Sequence, residues 1–125
     1  MKKIFFCLLL LPLLAITSCH KEGPGGKAII RGQVKHHDKL ISNAVVYIKY
    51  GTKDFPGDDV KYYDASANVD AEANYIFQDL KRGDYYLFGV GTDTIQSGIV
   101  PVIGGIPVEI KSKTETVEAN VLVTE

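Results

Sequence analysis

Cysteine is scarce in this sequence: only Cys7 and Cys19 occur among 125 residues. Both precede the polar, alternating region that must form the folded part, so no disulfide is expected there. Small secreted domains often rely on cross-links. A chain without them has to be held by its core, and roughly 100 residues are enough for that. An excess of one charge is also missing. Lysine plus arginine number 14 against 15 acidic residues, a net charge of −1, with no basic stripe, which leaves no support for nucleic-acid binding. Sustained helical periodicity with capping signals is absent, as is any repeat at solenoid or propeller spacing. Catalytic and ligand motifs are equally thin. Ser42, Ser66, Ser97 and Ser112 have no G-x-S-x-G context. Asp58, Asp59 and Asp64 match no calcium loop and read as solvated. Gly89-Val90-Gly91 lacks the spacing and following helix of a dinucleotide site. No metal and no cofactor is expected.

What is present begins at the N-terminus. Lys2 and Lys3 precede an apolar stretch from Ile4 to Ile16, interrupted by Pro12, and small polar residues lead into Cys19. A basic start, a short apolar run and small residues before a cut site form a secretory signal. The run is too short for the roughly 20 residues of a spanning helix. Ile16-Thr17-Ser18-Cys19 resembles the lipobox of bacterial lipoproteins. That resemblance implies cleavage after Ser18, a diacylglycerol thioether on Cys19 and acylation of the new amine. Two or more chains anchor a protein firmly where one holds only weakly. The remaining chain has a net charge of −3 once Lys2 and Lys3 leave. His20 to Gly26, with three glycines and one proline, reads as a flexible tether. Its charged residues resemble the surface-export signals of Bacteroidetes lipoproteins, here with the single acidic Glu22. The expected organisation is therefore a signal peptide over 1–18, lipidated Cys19 and tether over 19–26, and one domain over 27–125. The expected location is the cell envelope at the outer membrane, with the periplasmic or surface face left open.

From Lys27 onward the period is two. Ala28, Ile30, Gly32 and Val34 alternate with Ile29, Arg31, Gln33 and Lys35, which predicts a strand with one buried face. Ala44 to Tyr50 is a second strand, rich in β-branched and aromatic residues. Gly51 to Asp59 holds Pro56-Gly57-Asp58-Asp59 and reads as a loop. Val60 to Val69 gives a weaker strand with Tyr62 and Tyr63 on opposite faces. Asn74 to Phe77, Tyr85 to Val90, Ile106 to Lys111 and an alternating Val117 to Val123 complete the set, with Gly91 to Gly105 as a long loop. About seven strands with frequent turns predict an all-β antiparallel sandwich.

Gly32-Gln33-Val34, Ala44 to Ile48, then Asp70 through Phe77, Leu80, Gly83 and Tyr85 follow the pattern of the carboxypeptidase regulatory-like domain. The resemblance covers roughly Lys27 to Val90 and implies a transthyretin-like (prealbumin-like), seven-stranded Greek-key sandwich of Ig-like type. Ala44, Val46 and Ile48 would face Tyr75, Phe77, Leu80 and Tyr85 across the core. Ala73 stands where the pattern has glycine.

The catalytic relative of that class, 5-hydroxyisourate hydrolase, needs converging histidines, an arginine and a C-terminal tyrosine-arginine-glycine-serine. Val121 to Glu125 has no such sequence, and adjacent His36 and His37 would point to opposite faces of a solvated turn. The chain is expected not to be an enzyme. In the family register Val45, Tyr47 and Lys49 face outward, as do Tyr86 and Phe88. Tyr47, Tyr86 and Phe88 either bind a glycan or partner protein, or pack across strands and support the Gly91 to Gly105 loop. The expected function is a membrane-anchored binding or accessory module with a protein or glycan partner. A purely structural or assembly sandwich is the alternative, and a transthyretin-like hydrolase a distant one.

Overall fold

The computed structural model describes residues 22–125; Cys19 and the signal segment lie outside them. The described chain folds as two β-sheets packed face to face, with no α-helix among the described residues. Nine strands occur: β1 (Pro24–His36), β2 (Lys39–Leu40), β3 (Ala44–Tyr50), β4 (Ala65–Asn68), β5 (Asn74–Leu80), β6 (Gly83–Ile95), β7 (Gly98–Ile110), β8 (Thr116–Glu118) and β9 (Val121–Leu122). The first sheet is built on β1, which pairs β5 and β2 on one side and β8 and β9 on the other. The second has the order β4-β3-β6-β7.

Alternation gives the core. Ala28, Ile30 and Val34 of β1 point inward with Tyr75, Phe77 and Leu80 of β5, against Ala44, Val46 and Ile48 of β3 and Tyr85 and Leu87 of β6. Tyr85 sits in the same sheet as β3, opposite Tyr50, and not across the core from it. Its phenol joins the sheets, accepting from Gly23 N at 2.9 Å and donating to Lys81 O at 2.5 Å. Ala73 takes a left-handed turn without being glycine: its φ is +62°, and its carbonyl accepts from Val34 N at 3.0 Å.

Four expectations change. Residues 24–26, expected in the tether, open β1, and Gly23 is buried against Tyr85. The expected strand over Val60 to Val69 is a 3-10 turn at Val60–Tyr62 followed by β4. Gly91 to Gly105 is not a loop. β6 and β7 pair along their whole length, Gly83↔Ile110 to Ile95↔Gly98, with only Gln96 and Ser97 at the tip. The last segment is not antiparallel either. β8 and β9 run parallel to β1, broken at Ala119 and Asn120, where the Asn120 side-chain oxygen accepts from Gln33 N at 3.0 Å in place of a backbone carbonyl. The same segment also bridges to the second sheet through Ile103↔Thr124.

Candidate functional site

The outward face of the second sheet carries the expected aromatics. Tyr47 lies opposite Phe88, and Lys49 opposite Tyr86. Tyr47 and Tyr86 are half-buried, but Phe88 is only 2% exposed. The correction has a clear cause: the loop between β3 and β4 folds back over this face. Tyr63 stacks on Phe88 with ring centres 5.5 Å apart and an interplanar angle of 11°. Phe55 lies 5.6 Å from both Phe88 and Tyr86, and Tyr47 lies 6.0 Å from Tyr63. Burial, with lesser contributions from Tyr86 and Asp58, pushes the Tyr63 phenol up to about 12, and its hydroxyl donates to Gly57 O at 2.8 Å. The loop's acids hold this cover in place: Asp59 accepts from Lys61 N at 3.0 Å and Asp64 from Tyr50 N at 2.7 Å. The outward aromatics therefore pack, under residues 51–63 and not under residues 91–105.

His36 also departs from expectation. His37 is exposed in the turn, but His36 is only 6% exposed. Its Nδ1 lies 2.8 Å from Oδ2 of Asp93, which is 5% exposed on β6, and Lys39 Nζ donates to Oδ1 of the same carboxylate at 2.5 Å. A carboxylate is retained in a sheet interior when it is paired and hydrogen-bonded. The bonds from Lys39, then from His36, lower the Asp93 carboxyl from the usual 3.8 to about 2. A carboxyl with a depressed folded pKa stabilises the protein above the unfolded value, and that contribution is lost as pH falls from about 4 towards about 2. Urea midpoints of the parent should fall across that window. Asp93→Asn should be less stable at neutral pH and should show a shallower fall. An equal slope in the two proteins would show that other carboxyls set the acid transition.

A surface depression of about 730 Å³ lies on the outward face of the first sheet, within the size range of ligand clefts. Its floor is set by the strand register. Arg31 on β1 is beside Ile76 on β5 and Glu118 on β8, and Gln33 is beside Asn74. Asn120 and the β4–β5 connection at Asn68 and Asp70 close it.

Most of its polar side chains are held at one end only. Arg31 Nε donates to Glu118 at 2.6 Å, leaving the terminal guanidinium nitrogens facing out. Gln33 Nε2 donates to Glu72 O at 3.2 Å, leaving its oxygen. Asn74 Nδ2 donates to Asp70 at 3.3 Å, leaving its oxygen. Asn120 uses its oxygen on Gln33 N and keeps its amide hydrogens. The N–H of Asn74, with smaller contributions from its side chain and from Glu72, outweighs burial and lowers the Asp70 carboxyl, so Asp70 is charged at neutral pH. Ile76, 43% exposed, adds an apolar surface to the polar array. One cation against Asp70 and Glu118 leaves the groove mildly negative. From the sequence alone these residues fall on strands, and none of them is singled out as a site. The available signal was that amide and charged residues share one parity on β1 and β5.

The fold is similar to that of a Pseudomonas aeruginosa protein provisionally described as carbohydrate-binding. The TM-score is 0.57 at 13% identity, covering 80% of this chain and 90% of that one. A DUF3823 family protein from Parabacteroides merdae gives a TM-score of 0.48 at 14% identity, covering 80% of this chain and 47% of that one. Chlorocatechol 1,2-dioxygenase from Pseudomonas putida gives 0.44 at 13% identity, covering 88% and 62%. This chain thus spans less than two thirds of either of the latter two proteins. No family model and no curated protein matches the sequence. At these identities the first similarity speaks for the β-sandwich fold alone.

Proposed function

We propose that this chain is an outer-membrane lipoprotein, anchored through Cys19, whose sandwich binds a neutral glycan in the groove across β1, β5 and β8 without acting on it chemically. The observation that carries the reading is the half-satisfied state of Arg31, Gln33, Asn74 and Asn120. Each is positioned by one hydrogen bond and presents its other polar end, so little side-chain freedom is left to lose on binding. Sugar hydroxyls both donate and accept, and they match an array that offers both. Ile76 suits the C–H face of a sugar ring, and the net negative charge disfavours anionic ligands. The description of the Pseudomonas aeruginosa protein supports the same class of ligand. The finer fold assignment belongs to this proposal too. Counting β8 and β9 as one interrupted strand, and β2 as an extension of a hairpin, reduces the nine strands to seven, the number that supports reading the sandwich as a transthyretin-like Greek key.

Calorimetric titration with maltohexaose, cellohexaose and xylohexaose tests the function. At least one should bind, and Arg31→Ala and Ile76→Ser should each weaken it about tenfold, the effect of losing 1.4 kcal/mol. Both residues are exposed, so stability should stay within about 0.5 kcal/mol of the parent. Absence of binding across the panel by a folded protein would favour a spacer or assembly unit instead.

A further inference from the structure

The first of the described residues are fixed at one end of the sandwich. Gly23 donates its N–H to Tyr85 and accepts from Lys81 N at 2.8 Å. Only three residues separate it from Cys19, so the intervening chain reaches no more than about 14 Å. Beside Gly23 lies a shallow depression of about 440 Å³ lined by Lys27, Lys81, Arg82 and Lys113, with Gly25, Gly26 and Thr114 and no carboxylate. The Lys81 stem lies over Gly25, where an added Cβ would stand 3.1 Å from Lys81 Cε.

The charge is concentrated there. Six lysine and arginine residues have no ion-pair partner among the described residues: Lys27, Lys35, Lys81, Arg82, Lys111 and Lys113. Four of them line this one depression, although the chain past Cys19 carries a net negative charge. Two acids beside it in the chain, Glu115 and Glu22, make other contacts, and Asp79 and Asp84, within three residues of Arg82, do not line it. Glu115 accepts from Lys111 N at 2.7 Å and Ser112 N at 3.2 Å, and Glu22 turns towards Gly51 and Gly83.

We propose that this basic end docks on the phosphate groups of anionic phospholipids in the bilayer that holds Cys19. The proposal rests on the lipid-anchor reading. The short reach from Cys19 keeps the patch at headgroup level. Cations near an anionic surface are attracted within a Debye length. Docking here orients the sandwich: Arg31 lies six residues along β1 from Gly25, about 20 Å at strand rise, so the groove is held above the headgroups.

Mass spectrometry of the protein purified from membranes first reads the modification of Cys19, and an unmodified cysteine overturns the anchor itself. The lipoprotein is then placed in nanodiscs of phosphatidylcholine, with or without phosphatidylglycerol, and hydrogen exchange is followed. Residues 22–27, 80–83 and 111–115 should be protected only when phosphatidylglycerol is present. Arg82→Glu with Lys113→Glu should abolish that protection at unchanged melting temperature. Lys35→Glu alone, off the patch, should preserve most of it, where Arg82→Glu alone should lose most of it. If Cys19 is unmodified, short-chain dihexanoyl phosphatidylglycerol titrated into the full chain tests the patch alone, and Arg82→Ala should weaken binding about fivefold. Equal protection in both bilayers, equal loss in the control variant, or equally tight binding of inorganic phosphate would each overturn lipid docking.

Discussion

Gly32→Ala is expected to lower stability by about 3 kcal/mol or more, with loss of the β8–β9 segment from its place beside β1. Gly32 sits in the middle of β1 with its missing side chain directed at the Ala119 carbonyl, and a Cβ there would overlap that backbone oxygen. A side chain could rotate away, but a carbonyl in a paired segment cannot. The segment must therefore move, and three bonds move with it: Ala119 N to Arg31 O at 2.8 Å, Gln33 N to Asn120 at 3.0 Å, and Tyr75 OH to Ala119 O. Glycine in a strand interior commonly marks such a close approach. Urea unfolding measures the loss, and hydrogen exchange should show Ala119 and Val123 deprotected ahead of the core. Glu118 and Asn120 line the groove, so any glycan affinity should fall in the same variant. A variant within about 0.5 kcal/mol of the parent would show that β1 tolerates a side chain here.

How much of this was legible depended on whether a residue's surroundings were local. β3 was readable to its ends because Ala44, Val46 and Ile48 alternate with half-exposed residues between clear turn signals. The core face of β1 was readable for the same reason. Its first residues were not. The glycines and proline at 23–26 have the composition of a linker, and they are ordered by Tyr85 and Lys81, far along the chain. Gly98, Pro101, Gly104 and Gly105 hid the first half of β7 in a similar way, while its end was readable as Ile106 to Lys111 despite Pro107. Pro101 and Pro107 share the parity of Ile103, whose N–H points away from β6 to Thr124 at 2.9 Å. A proline on that side costs no bond to β6, which is why an edge strand accepts it. His36 looked solvated because its partner, Asp93, lies 57 residues away. The groove was invisible for a related reason: its polar residues matter as an array only once β1, β5 and β8 stand side by side.

Phe88→Ala is expected to cost about 3 kcal/mol, the lower end of the range for removing a buried phenylalanine, and to leave glycan affinity unchanged. The outward direction of Phe88 suggested a contact surface, but its ring is covered by Tyr63 and Phe55. Its removal opens a cavity beneath the loop. Part of the loss is recoverable because Phe55, 53% exposed, can settle inward, and this places the estimate at the low end. The groove lies on the other sheet, so a binding change without a stability change is not expected from this residue. Tyr47 and Tyr86 are half-buried neighbours, and Tyr47→Ala and Tyr86→Ala should cost less, about 1 kcal/mol each. Thermal melts and titration with the same hexasaccharides separate the two roles of this face. If Tyr86→Ala or Phe88→Ala weakened binding tenfold while the melting temperature held, the aromatic face would be the binding surface. The packing observed between the loop and the sheet would then be its support.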